Sequence, residues 1–178
     1  ANPNCSTIQA VVALKPLDDK YKIKRIVYST YQAVSGAGLG GWNDLKNGLS
    51  GEQPSKFPHP IANNCLPHID VFLPDGYTKE EMKMVNETRK ILGRQDIRIT
   101  ATTVRVPVFN SHSESINVEF EKPFEMAELV KTLKNAPGII VQDDPEHNVY
   151  PMAITATGTN ETYVGRIRRD DSVESGVN

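Results

Sequence analysis

IRITATTVRVPV at 97–108, running on through FNSHSESINVEF at 109–120, is the stretch that decides the architecture. β-Branched and apolar residues alternate with polar ones through 97–108, the period-two pattern of a strand. A serine-rich turn follows, and SESINVEF at 113–120 reads as a second strand. Upstream, Thr78-Lys79-Glu80-Glu81 matches a capping box, with Thr78 as N-cap and Glu81 reaching back, and predicts a helix over about 79–92. Downstream, Pro123 stands at a first helical position, with Met126, Leu129, Val130 and Leu133 on one face and Gly138 beyond the end. Helices and strands therefore mix without strict alternation, which makes the chain α+β and not doubly wound.

Working outward, residues 6–15 read as a helix, with Ile8, Val11, Val12 and Leu14 at core spacing before Pro16 disturbs the pattern. KIKRIVYSTYQAV at 22–34 reads as a strand, SGAGLGG at 35–41 as loop or turn, and WNDLKNGL at 42–49 as a short helix at best. Five prolines between 50 and 77 predict a long irregular crossing with one short strand at 69–72. GIIVQ, MAITAT and TYVGRIR read as further strands, the last two flanking a GTNE hairpin turn.

At 178 residues the chain suits one domain with an ordinary core. A net charge of −2, from 20 basic and 22 acidic residues, leaves no nucleic-acid footprint, and the short Arg166–Arg169 cluster reads as solvated surface. No apolar run approaches the roughly 20 residues that cross a bilayer, so no membrane association is expected. No signal peptide precedes the first motif, and a cytoplasmic location is the expectation. Two cysteines make no disulfide framework, and the N-x-S/T matches at Asn4, Asn86 and Asn160 have no export signal behind them.

Cys5 stands at the mouth of the first helix, where free backbone N–H groups and the helix dipole are expected to lower a thiol pKa and favour the nucleophilic thiolate. Cys65 has no such setting and reads as structural. His59, His68, His112 and His147 show no ligand spacing, so no metal is expected. His112 lies in the loop at a strand end, a common position for catalytic groups. Arg105 shares an otherwise apolar strand face and needs an anion, either a structural carboxylate or a ligand. Glu80 and Lys83 share a helix face and, taken alone, read as an exposed ion pair. Gly36-Ala-Gly38-Leu-Gly40-Gly41 satisfies a dinucleotide-loop pattern, but KFPHPI stands where the ribose-binding acid belongs, so the glycines read as turn residues.

NPNCSTIQ at 2–9, STYQAVSGAG at 29–38, EEMKMVNETRKI at 80–91, RVPVFNSHSES at 105–115 and YVGRIRRD at 163–170 together resemble the bacterial aspartate-semialdehyde dehydrogenases, in that family's order. The resemblance implies a C-terminal domain of the glyceraldehyde-3-phosphate dehydrogenase type: a mixed, largely antiparallel sheet with helices on one face, serving catalysis and dimerisation over residues 1–178. It implies reductive dephosphorylation of L-aspartyl 4-phosphate to L-aspartate 4-semialdehyde with NADPH, in lysine, methionine and threonine biosynthesis. Cys5 would be the nucleophile, His112 the acid/base and Gln32 the group orienting the acyl intermediate. Arg105 would clamp the substrate carboxylate and Glu80 its ammonium, Lys83 would assist phosphate binding, and Asn4 would join the substrate-binding set. Ser35 and Gly36 would border the nicotinamide of NADP, which an absent N-terminal Rossmann domain would mainly hold. The resemblance further implies a homodimer, a missing C-terminal return segment and an isolated domain that is inactive alone; nearness to the chain end predicts fraying of residues 1–5. The alternatives are a non-catalytic self-association module and, further off, a metal or redox protein built on Cys5 and Cys65.

Overall fold

The computed structural model describes residues 2–178. Helix α1 (Cys5–Tyr21) leads into strand β1 (Ile23–Gln32), a 3-10 turn over Val34–Ala37 and helix α2 (Gly38–Gly48). A largely irregular crossing reaches helix α3 (Lys79–Leu92), followed by β2 (Arg98–Arg105), β3 (Ser113–Phe120) and helix α4 (Met126–Lys134). Strand β4 (Ile139–Val141), short helix α5 (Ala153–Ala156), β5 (Thr162–Val164), β6 (Arg169–Asp170) and β7 (Gly176–Val177) complete the chain.

The main sheet has five strands in the order β2-β1-β3-β7-β6. Only the β1–β2 pair is parallel; the other three pairings run antiparallel. One sheet face carries Ile23, Ile26, Tyr28, Ile97, Ala101, Val118 and Phe120, and it packs with Ala10, Leu14 and Leu17 of α1, Met84 of α3, and Leu129 and Leu133 of α4. Each of these large side chains contributes roughly 1.5–3 kcal/mol by leaving water. The expected α+β layering, with helices on one face, is therefore present.

Several local expectations give way to tertiary contacts. Helix α1 runs through Pro16, because Leu17, Asp18 and Tyr21 continue its buried face and outweigh one missing hydrogen bond. The helix ends where Lys22 adopts φ 61°, and Asp18 accepts from both the Ile23 N–H (2.8 Å) and Arg94 Nη1 (2.9 Å), turning the chain into β1. The glycine-rich stretch forms the 3-10 turn and α2 instead of a loop. A Cβ at Gly41 would lie 2.7 Å from the Val34 carbonyl oxygen, so close packing needs glycine here. Asp44 on α2 accepts the N–H groups of Ser55, Lys56 and Phe57, each at 2.8 Å, and so pins the crossing.

No strand forms at 69–72, where Phe72 makes only an isolated bridge with Thr78. The helix expected from Pro123 starts at Met126, three residues later, with Phe124 buried ahead of it. MAITAT contains helix α5, not a strand, and no hairpin forms: β5 pairs in parallel with β4. The capped helix and the strand at 113–120 match their expected bounds.

Candidate active site

The register of the sheet gathers the site. Parallel pairing sets Gln32, the last residue of β1, opposite Arg105, the last of β2. Antiparallel β3 begins at the same edge, so His112, one residue ahead of it, arrives there too. Helices α1 and α3 both start over this edge, which aims two positive dipole ends at one place.

Cys5 is the first residue of α1, and its Sγ lies 3.2 Å from His112 Nε2. The Ala33 N–H donates to His112 Nδ1 at 3.0 Å, so the neutral ring carries its hydrogen on Nε2, facing the sulfur. Burial, with the Arg105 charge assisting, pulls the His112 pKa down to about 4 and keeps the ring neutral at pH 7. The expected lowering of the Cys5 pKa is corrected: it is raised, first by burial and then by the Glu80 charge, against smaller help from the Ser6 N–H and Arg105. Asn4 caps α1, its Oδ1 accepting from the Ser6 and Thr7 N–H groups at 3.1 Å.

Arg105 is 6% exposed and makes no salt bridge among the described residues. Its Nη1 donates to the Ala33 carbonyl at 2.6 Å, the guanidinium lies 5.8 Å from the Phe57 ring centre, and its Nε has no partner among the described residues. Burial lowers its pKa, opposed by the charges of Glu80 and Cys5. Of the two sequence alternatives, no structural carboxylate pairs directly with Arg105 among the described residues, and Glu80 acts on it only through its charge. Glu80 is buried at 7% exposure, contrary to the surface ion-pair reading. Its Oε1 accepts from Asn4 Nδ2 at 2.7 Å and Gln32 Nε2 at 3.3 Å, while Oε2 lies 3.5 Å from Lys83 Nζ. Lys83 also binds Asp70 at 2.8 Å, which raises its pKa.

Asn4, Cys5, Gln32, Gly36, Glu80, Lys83 and Arg105 line one cavity of about 320 Å³, together with Ile69 and Asp70. His112 reaches it through Cys5. Gly36 is needed there, because a Cβ would stand 2.8 Å from Arg105 Nη1 and 3.1 Å from His112 Cε1. Ser35 is tied by its N–H to the Phe109 carbonyl and does not line the cavity. Sequence reasoning missed Asp70, the Ala33 peptide and Ser6, whose Oγ accepts from Gln32 Nε2 at 2.5 Å. Asp70 lies in the proline-rich crossing, and no local pattern marks it.

The expected fraying of residues 1–5 falls partly on position 1, outside the described residues; at the other end of that span Asn4 is tied by its N–H to Glu87 Oε2 at 2.6 Å. Cys65 is exposed and free, so it packs no core. No cluster of three metal-ligating side chains occurs among the described residues, and no helix is long and apolar enough to cross a membrane.

A cysteine–histidine pair and a buried arginine without a carboxylate partner among the described residues thus meet at the shared end of three strands. Residues 14–178 match the family model for the semialdehyde dehydrogenase dimerisation domain. The chain belongs to that family. It is 58% identical over 184 residues to an aspartate-semialdehyde dehydrogenase of Aquifex aeolicus, covering 99% of this chain and 54% of the relative. It is 51% identical over 178 residues to that of Campylobacter jejuni, covering 96% and 52%. A crystal structure of aspartate semialdehyde dehydrogenase II complexed with ASA from Vibrio cholerae superposes with a TM-score of 0.95 at 43% identity, covering 99% of this chain and 54% of that one. The chain thus spans about half the length of these relatives.

Proposed function

We propose that this chain is the catalytic and dimerisation domain of a cytoplasmic, NADP-dependent, phosphorylating aspartate-semialdehyde dehydrogenase, which forms L-aspartate 4-semialdehyde from L-aspartyl 4-phosphate. One observation carries the reading: the Cys5–His112 contact of 3.2 Å opens on a cavity whose buried arginine has no carboxylate partner. The Cys5 sulfur attacks the acyl carbon, the C–O bond to phosphate breaks, the thiol proton leaves with the phosphate, and a thioester remains on Sγ. NADPH, when bound, supplies the hydride that reduces this thioester. The tetrahedral oxyanion then expels the Cys5 thiolate as the aldehyde leaves. His112 Nε2–H donates to the sulfur at rest and to the oxyanion during each addition. Its tautomer supports the hydrogen-donating half of the acid/base role that the resemblance implies.

Arg105 fits the substrate carboxylate, whose two oxygens suit a planar fork. Glu80 fits the substrate ammonium, held in place by Asn4 and Gln32. Gln32 retains an amide oxygen without a partner among the described residues, free to orient the acyl group. Lys83, with Asp70 beside it, assists phosphate at the cavity rim. Exposed Gly36, with neighbouring Ser35, leaves flat space beside Arg105 and His112 where the nicotinamide end of the cofactor fits. The glycine stretch runs from β1 through a 3-10 turn into α2, but KFPHPI stands where a ribose-binding acid belongs, so the dinucleotide is held mainly elsewhere. In the complete polypeptide carrying this domain, L-aspartate 4-semialdehyde is expected to reduce NADP only when phosphate is present. Cys5→Ala is expected to abolish that turnover, and undiminished turnover in the variant removes Cys5 from the mechanism.

A further inference from the structure

Gln9 and Glu114 take part in none of these steps, yet they sit directly behind the reacting pair. Gln9 lies one helical turn along α1 from Cys5. Its Nε2 donates to Glu114 Oε1 at 2.8 Å and faces the His112 carbonyl oxygen at 3.4 Å. Glu114 pairs with Thr30 across β1 and β3, which places its carboxyl beneath α1, and its Oε2 has no hydrogen-bond partner among the described residues. Burial pushes the pKa of this carboxyl up to about 8. A buried carboxyl with a single amide partner is a costly way to fill space, so its position calls for a reason.

The neighbouring backbone supplies one. Residues 106–112 form no regular element, and Ser111 sits in the left-handed region at φ 68°. His112 therefore reaches the cavity from a bend, while Cys5 rides on a rigid helix. We propose that Gln9 and Glu114 are positioning residues that set the Cys5–His112 separation: Glu114 holds the Gln9 amide, which ties the His112 carbonyl to the helix that begins at Cys5. A shift of about 1 Å in either part takes the sulfur–imidazole contact out of hydrogen-bond range. The proposal rests on the reading of Cys5 and His112 as the reacting pair.

The test is the pH dependence of Cys5 alkylation by iodoacetamide, resolved by peptide mass spectrometry, with exposed Cys65 as the internal reference. His112 Nε2–H stabilises the thiolate, so loosening the contact raises the thiol pKa while the Glu80 and Arg105 charges facing Cys5 stay in place. Gln9→Ala and Glu114→Ala are expected to move the Cys5 midpoint up by about one pH unit, about tenfold slower labelling at neutral pH. His112→Asn is expected to move it in the same direction, and Cys65 to stay unchanged. Glu114→Gln is expected to keep the wild-type profile, because an amide oxygen still accepts from Gln9. A shift in His112→Asn without one in Gln9→Ala overturns the brace alone; no shift in His112→Asn overturns the reacting pair as well. A Glu114→Gln profile matching Glu114→Ala also overturns the brace. Gln9 is on a helix and only half-buried, so its alanine variant carries the test if Glu114→Ala fails to fold.

Discussion

Ala33 brings no side-chain chemistry to the site, yet both sides of its backbone touch it. Its N–H fixes the His112 tautomer, and its carbonyl holds Arg105 Nη1, so one residue spaces the donor to sulfur from the anion-binding group. Main-chain atoms of a buried residue move less than long side chains, which makes this a stiff spacer. Glu114 gives a second prediction at this scale. An acid whose folded pKa is raised contributes stability that is complete below its unfolded value of 4.5 and is lost as pH climbs through about 8. Glu114→Gln removes the group that must charge. Its unfolding free energy, measured by urea titration, is expected to exceed that of the wild type above pH 8, by on the order of 1 kcal/mol, and to lose that advantage near pH 5. An equal difference at both pH values would show that Glu114 does not titrate in this range.

At the scale of elements, α3 owes its place to its first turn. The Thr78 Oγ1 accepts from the Glu81 N–H at 3.3 Å, and Glu81 Oε2 accepts from the Thr78 N–H at 2.8 Å. Glu81 Oε1 also accepts the Thr103 N–H at 3.0 Å, so the same carboxylate joins the helix start to β2. Thr78→Ala is expected to cost about 1 kcal/mol, and Glu81→Ala about 2 kcal/mol because it leaves two buried N–H groups unpaired. Urea unfolding of both variants checks the order; a smaller loss for Glu81→Ala would show that the strap to β2 contributes little. Because Glu80 sits between these residues, the cap also sets where the proposed ammonium-binding carboxylate points.

At the scale of the molecule, the sheet face turned away from the helices is only partly covered, by Tyr77 at Thr100 among others. It carries Val27 and Tyr31 of β1, the latter 45% exposed. Membership of a dimerisation-domain family makes this face the expected contact between two copies. The self-association and catalytic readings are thus compatible, because the expected contact face and the candidate site at the strand ends use different parts of the sheet. Tyr31→Glu is expected to shift the sedimentation profile toward monomer while leaving Cys5 alkylation unchanged. A dimer that persists in the variant would place the interface elsewhere.

Features set by neighbours a few residues apart were legible along the chain. The capping box, the alternation over 113–120 and the strand carrying Arg105 depend on local backbone geometry, whose range is about one turn or one pleat. The motifs named nine site residues: seven line one cavity, His112 joins them through Cys5, and Ser35 lies outside. Contacts far apart in sequence decided the rest. Pro16 stays inside a helix because the face beyond it finds a core; the glycines of α2 fold against Val34; and β5 finds β4 instead of a hairpin partner. The Cys5 pKa also rises instead of falling, because its value depends on burial that no local pattern encodes and then on Glu80, far along the chain. Local chemistry chose the parts, and packing, which sums over the whole chain, chose their places and their charges.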